Sequence, residues 1–243
     1  MTRWRPVCQL TCTAEQFIKK LKTLRTPGTA EYHRNLAADG EDVILGVRMG
    51  KVFALAKEYM DMPLDEVEEL LDSPLHEARV GAVSIMDYQA RSKKTTEARR
   101  KELFDLYIRR HDRINTWDLV DRSAPYVVGG YLYDKPRRIL YKLARSKKMV
   151  ERRSAIVSTL YLIGKEDVDD AFKIAEILLE DEEDLIHKAT GWALRYAGDK
   201  DRPRLLTFLD AHAAAMPRVA LRYSIEHLDR DQKEHYMGLK KAR

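Results

Sequence analysis

The stretch VERRSAIVSTLYLI, residues 150–163, is followed after a short link by VDDAFKIAEILL, residues 168–179, and then by EDLIHKATGWALRYA, residues 183–197. Apolar residues recur in each stretch at the spacing of an amphipathic or buried helix. Links of only a few residues require neighbouring helices to lie antiparallel. This part of the chain therefore predicts consecutive antiparallel helices.

The same pattern extends towards both ends of the chain. Phe17, Ile18, Leu21 and Leu24 form one apolar stripe, and Ser73-Pro74 reads as an N-cap with proline at the first helical position. Further helices are predicted at about 52–59, 67–71, 74–89, 97–109, 115–122, 124–132, 136–145, 202–212 and 217–228. We predict an all-α fold, an α-solenoid of HEAT-like antiparallel helix pairs, with a compact irregular helical bundle as the alternative.

Composition agrees with a helical, globular chain. The 243 residues are 44% hydrophobic and 34% charged, with 11 Gly and 8 Pro, fewer turn residues than an all-β fold needs. We predict one repeat domain over residues 1–228 and a frayed C-terminal tail over 229–243, where apolar periodicity is weak. A chain of this kind can act as a monomer.

Targeting and membrane signals are missing from the sequence. No stretch approaches the roughly 20 apolar residues that a membrane span requires, and the N-terminus has no apolar core of a secretory signal. The two cysteines, Cys8 and Cys12, suit a reducing compartment. We expect a soluble, cytoplasmic protein that acts at the nucleoid.

Charge is distributed in blocks, although the formal net charge is only +5. Residues 58–72 and 165–187 are acidic, whereas 89–113 and 134–153 are basic. A single basic block is explained equally well by a solvated helix surface and by a binding face. Two blocks between acidic flanks favour a basic face that binds a polyanion. The predicted phosphate contacts of the second block are Arg137, Arg138, Lys147 and Lys148.

Common catalytic motifs are not found. Gly46 to Lys51 resembles a phosphate loop but has one residue too few between its glycines and no following Ser or Thr. The cysteines and histidines do not occur at zinc-ligand spacing. We predict neither a metal nor another cofactor.

The stretch NTWDLVD, residues 115–121, is the most informative one for chemistry. Asn115 is a good N-cap, and Asp118 occupies a capping-box-like position, which favours a structural role. Trp117 and Asp121 are then one turn apart on the same helix face. A core position for Trp117 and a surface or capping role for Asp121 are the alternatives, but a carboxylate between two basic blocks suggests a site.

Two features of the second half of the chain add to this interpretation. Trp192 follows Gly191 in a predicted helix, where glycine costs about 1 kcal/mol relative to Ala and suggests close approach of another group. Packing against the next repeat is the alternative for Trp192. Arg152 and Arg153 begin a helix, where positive charge opposes the helix dipole, so phosphate contact is a better explanation for them.

Five segments together resemble the AlkD family of bacterial DNA alkylation-repair glycosylases. They are WDLVD at 117–121, RRSAI at 152–156, KATGWALR at 188–195, GVR at 46–48 and HEAR at 76–79. The resemblance runs from about residue 15 to 228 in the same order. It implies a HEAT-like solenoid whose concave, basic face holds duplex DNA. It also implies excision of N3- or N7-alkylated purines without a metal.

The resemblance also implies roles for individual residues. Asp121 would be the catalytic carboxylate, Trp117 and Trp192 would lie against the deoxyribose of the lesion, and Arg153 would contact the same cleft. Because the arginine is doubled, Arg152 is the alternative for that last role. The resemblance suggests that the lesion stays in the duplex rather than being flipped out.

Two other classes of protein fit parts of this pattern. A non-catalytic helical-repeat scaffold that binds DNA or a protein partner would also have basic blocks, but it has no need of Asp121. A solenoid that binds only proteins would show no DNA affinity that falls steeply with salt.

Overall fold

A computed structural model describes residues 12–32 and 42–239 of the chain, so that Cys8 and the last four residues of the tail lie outside the described residues. The described residues form helices and contain no β-strand; Val43 and Leu75 form an isolated bridge. The prediction of an all-α fold is confirmed. None of the described helices has the length and apolar character needed to span a bilayer.

The described chain divides into two compact units, one ending at Ser123 and the other beginning at Ala124. The helices of the first unit are α1 (Ala14–Thr23), α2 (Thr29–Tyr32), α3 (Met49–Glu58), α4 (Leu64–Asp72), α5 (His76–Arg91), α6 (Glu97–Arg109) and α7 (Trp117–Ala124), the last of which crosses the boundary by one residue. A single domain over residues 1–228 stays a prediction.

The core of the first unit is built around α5. This helix is buried on nearly all sides and packs against α3 and α4, which is why its sequence shows no single apolar stripe. Gly81 lets Phe17 of α1 approach closely, since a Cβ at Gly81 would lie 2.3 Å from the Phe17 ring. α1, α3, α4 and α6 all contact α5, which is therefore the central helix of this unit.

In the second unit, Ala124 is followed by the π-helical turn Pro125–Gly129, which continues α7 without a break. Its α-helices are α8 (Gly130–Leu132), α9 (Arg138–Ala144), α10 (Met149–Ile163), α11 (Asp169–Ile177), α12 (Asp184–Lys200), α13 (Arg202–His212), α14 (Arg218–Ser224) and α15 (Arg230–Gly238). Here α10 is buried on most sides and packs against α9, the π-helical turn and α12, while α12 packs in turn against α14. Each unit is therefore a succession of packed helices, as in helical-repeat proteins.

Two local predictions were wrong. The tail from Asp229 does not begin as a frayed segment, because α15 is capped by Asp229 and docks through Tyr236, whose hydroxyl donates to Asp210 at 2.8 Å. Pro74 does not open α5, which begins at His76. The reason is the bridge to Val43, whose amide donates to the Pro74 carbonyl and keeps this segment extended.

Candidate active site

The predicted site residues of the first unit lie on α7. Trp117 and Asp121 are one turn apart on this helix, and both are partly exposed. The buried face of α7 consists instead of Leu119, Val120, Ser123 and Ala124. Trp117 is therefore not a core side chain, and it shares one side of the helix with the Asp121 carboxylate.

A polar network fixes the start of α7. Nε2 of His76, the first residue of α5, lies 2.8 Å from Oδ2 of Asp118, and the Thr116 hydroxyl donates to Oδ1 of Asp118 at 2.6 Å. A carboxylate can only accept, so Nε2 of His76 carries the proton. Burial opposes ionisation of Asp118, but the hydrogen bonds from His76 and Thr116 outweigh it and hold the pKa of Asp118 below its usual value. Asp118 thus has the structural role that the sequence suggested.

Asn115 does not cap α7 as predicted, because the helix begins two residues later. Its side-chain oxygen accepts a hydrogen bond at 2.8 Å from the guanidinium of Arg79, which is fully buried. Arg79 also donates to the Arg113 carbonyl and pairs with Asp42. The segment leading into α7 is thereby attached to α5 by a charged side chain.

Two of the weaker family-like segments turn out to be one structural unit. The buried carboxylate of Glu77, in the HEAR stretch, accepts hydrogen bonds from the backbone amides of Leu45, Gly46 and Val47 at 2.8–3.1 Å. Gly46 adopts φ +83°, a left-handed conformation that favours glycine. The GVR loop and the HEAR helix start are therefore held together, which no local pattern in the sequence indicates.

The helix that carries Asp121 changes character directly after it. Pro125 has no amide hydrogen, so it cannot donate to the Asp121 carbonyl four residues earlier. The chain continues as the π-helical turn Pro125–Gly129 instead of breaking, where the sequence predicted two separate helices. Turns of this kind often occur at functional sites.

The other predicted site residues lie in the second unit, on two helices that pack against each other. Arg153 of α10 is buried, and its guanidinium donates to the carbonyl of Leu185 at the start of α12. Trp192, further along α12, is partly exposed. The structure thus pairs Trp117 with Asp121 in one unit, and the helix of Arg153 with that of Trp192 in the other.

Gly191 is explained by packing of α12 against α14. A Cβ at Gly191 would lie 2.5 Å from both the Ala220 carbonyl oxygen and Cβ of Tyr223. The predicted close approach to Gly191 is therefore made by a neighbouring helix.

Two of the predicted DNA contacts are used inside the protein. Arg137 pairs with Asp167 and Asp170 at 2.7 Å each. Arg152 pairs with Asp181 and donates to the carbonyls of Ser146 and Lys147. These partners explain why Arg152 is tolerated at a helix start, and they favour structural roles for both arginines over phosphate contact.

Three other predicted DNA contacts remain accessible. Arg138, Lys147 and Lys148 are exposed, and only Lys148 has an acidic neighbour, Glu151, among the described ion pairs. Of these three residues, Arg138 and Lys147 carry charge that is most available to an anionic partner. Within residues 12–32 and 42–239, no group of three or more His, Cys, Asp or Glu side chains could hold a metal ion.

Comparisons with a solved structure and with a family model identify proteins that are similar to this chain. A solved structure from Enterococcus faecalis, described as a "predicted DNA alkylation repair enzyme", superposes with a TM-score of 0.67 at 19% identity, over 85% of this chain and 97% of the other. At that identity the likeness concerns the fold. No curated protein matches the sequence. The sequence model of the DNA alkylation repair enzyme family matches residues 17–228, nearly the whole described chain, and this protein belongs to that family.

Proposed function

We propose that the protein is a DNA glycosylase that hydrolyses the N-glycosidic bond of cationic alkylated purines, such as N3-methyladenine and N7-methylguanine, in duplex DNA. A role in the repair of alkylated DNA follows from the family. The observation that carries the finer proposal is the pair Trp117 and Asp121, partly exposed on one side of α7.

The chemistry requires only one carboxylate. An N3- or N7-alkylated purine is positively charged, so when the bond to C1′ breaks, its electron pair neutralises the departing base. The general acid that most glycoside hydrolases use is therefore unnecessary. Positive charge develops on the sugar, where Asp121 either stabilises it or orients the attacking water. That water adds to C1′ and releases a proton.

The two tryptophans supply selectivity for a charged lesion. An indole face attracts a cation by about 0.5–2 kcal/mol, depending on how far the pair is desolvated. We assign this role to Trp117, which shares one side of α7 with Asp121. The same role for Trp192, and contact of Arg153 with the lesion, are what the family resemblance implies. A neutral lesion gains none of this attraction and is also a poorer leaving group.

Binding of the duplex is assigned to exposed cations. Arg138, Lys147 and Lys148 would contact phosphates, while the lesion stays stacked in the duplex. We propose that a monomer does this in the cytoplasm, at the nucleoid, without a metal or another cofactor.

Release of free bases from three duplexes tests the proposal. Chromatography should detect N7-methylguanine and N3-methyladenine after incubation with the protein, but no release of uracil from an otherwise identical duplex. Efficient release of uracil would contradict selection by charge. Binding without release of any base would leave a helical-repeat scaffold.

A further inference from the structure

Beside its buried face, α7 carries two parallel stripes of side chains that are only partly exposed. Successive residues of a helix are about 100° apart, so residues four apart lie on one stripe. Trp117 and Asp121 form the first stripe, and Asp118 and Arg122 form the second, beside it. Any rotation of α7 about its axis that moves the second stripe moves the first by the same angle.

Both residues of the second stripe form side-chain hydrogen bonds within the first unit. Asp118 is held by His76 and Thr116, as described above. Arg122 is held by α5: its Nε donates to the Ser84 hydroxyl at 3.0 Å, and its Nη1 lies 3.1 Å from Oδ2 of Asp87. Both Ser84 and Asp87 are fully buried.

Two aromatic rings also contact the Arg122 guanidinium, and together with Ser84 and Asp87 they form the seat of this side chain. Its guanidinium carbon lies 4.8 Å from the ring centroid of Phe53, on α3, and 4.9 Å from that of Tyr88, on α5. Such a seat fits a flat, delocalised guanidinium and not a compact ammonium. Asp87 also receives a hydrogen bond at 2.9 Å from Arg91 of α5, so its charge is compensated from two sides.

We infer that Arg122, seated on Asp87, Ser84, Phe53 and Tyr88, is a positioning residue for base excision: it sets the rotation of α7 and hence the direction of the Asp121 carboxylate. The inference rests on the proposed function. The series of backbone hydrogen bonds of the helix is interrupted at Pro125, directly after this region. The orientation of α7 therefore depends more on side-chain contacts here. A displacement of about 1 Å at a reacting group can cost about 100-fold in rate.

The kinetic test compares Arg122→Lys and Arg122→Met with a matched variant, Arg91→Lys. Arg91 contacts the same Asp87 carboxylate but lies on α5 itself, 44% exposed. Single-turnover release of N7-methylguanine is measured at saturating protein, together with affinity for the duplex and the melting temperature. We expect the rate at saturation to fall by about tenfold or more in both Arg122 variants, with DNA affinity within about twofold of wild type.

Arg91→Lys should keep the wild-type rate even where it lowers the melting temperature. Rates at saturation that are unchanged in both Arg122 variants, with wild type active, would overturn the inference and leave the proposed function intact. An inactive wild type would instead contradict the proposed function.

A second measurement does not depend on excision. The chain has three tryptophans, so a variant carrying Trp4→Phe and Trp192→Phe reports on Trp117 alone. In this background, Arg122→Met should change acrylamide quenching of Trp117 by about twofold or more, and Arg91→Lys should not, because only Arg122 lies on the helix of Trp117. Equal quenching in all three proteins would overturn the inference.

Discussion

Nε2 of His76 and Oδ2 of Asp118 are 2.8 Å apart, which joins the first residue of α5 to the residue that follows Trp117. Because the imidazole is fully buried and the carboxylate is largely so, the contact is shielded from solvent. It attaches the proposed catalytic helix to the central helix of the first unit.

This contact predicts a specific dependence of stability on acid. The folded protein holds the pKa of Asp118 below the ordinary 3.8, so the unfolded chain takes up its proton first as the pH falls. The stabilisation is present above about pH 4 and is lost as the pH falls through the folded pKa. In Asp118→Asn, the free energy of unfolding should therefore fall less steeply than in wild type as the pH is lowered below about 4. Urea unfolding followed by circular dichroism measures this, and parallel slopes would contradict it.

Gly191 and Gly50 form a matched pair for testing helix packing. Alanine at Gly191 would meet α14, so Gly191→Ala should lower the free energy of unfolding by about 1–3 kcal/mol despite the better helix propensity of alanine. Gly50, also helical, has nothing within 4 Å of its Cβ position. Gly50→Ala should raise that free energy by about 0.4–1 kcal/mol. Equal effects at both positions would show that α14 does not press against Gly191.

The cations of the second unit should separate into two classes. Arg138→Gln combined with Lys147→Gln should lower the salt slope of duplex binding by about 2, since each phosphate contact contributes about one. Arg152→Gln should leave the slope unchanged but lower the free energy of unfolding by about 3–5 kcal/mol, because it leaves the nearly buried carboxylate of Asp181 without its arginine. Binding titrations at several salt concentrations, with thermal melts, distinguish the two. A slope unaffected by the double variant would place the phosphate contacts elsewhere.

Periodicity in the sequence predicts the helices well where a whole helix is buried or amphipathic, as in α10 and α12. It misses α15, because that helix docks through one side chain, Tyr236, and a single anchor creates no period. The sequence also predicts the start of α5 wrongly, again because a contact between distant residues determines the structure. The pairing of Val43 with the segment before His76 overrides the local preference of Pro74.

In the candidate site, too, local spacing could be predicted from the sequence, whereas contacts between distant residues could not. Trp117 and Asp121 could be found because their spacing of four places them together on any helix. The contacts of Arg79 with Asn115 and of Glu77 with the loop at Gly46 join residues more than 30 positions apart, which only the tertiary fold brings together. Whether an arginine is available to DNA also depends on partners that are distant in sequence. Arg152, for example, is paired with Asp181.

The central claim is that the Asp121 carboxylate acts at the glycosidic bond. Its most direct test is release of free N7-methylguanine from duplex DNA by wild type and by Asp121→Asn, compared at protein concentrations that give equal occupancy of the duplex. The proposal predicts release by wild type and a loss of about 100-fold or more in the variant, since the amide keeps the size of the side chain but not its charge. A variant that releases the base as fast as wild type, from an equally occupied duplex, would contradict the claim.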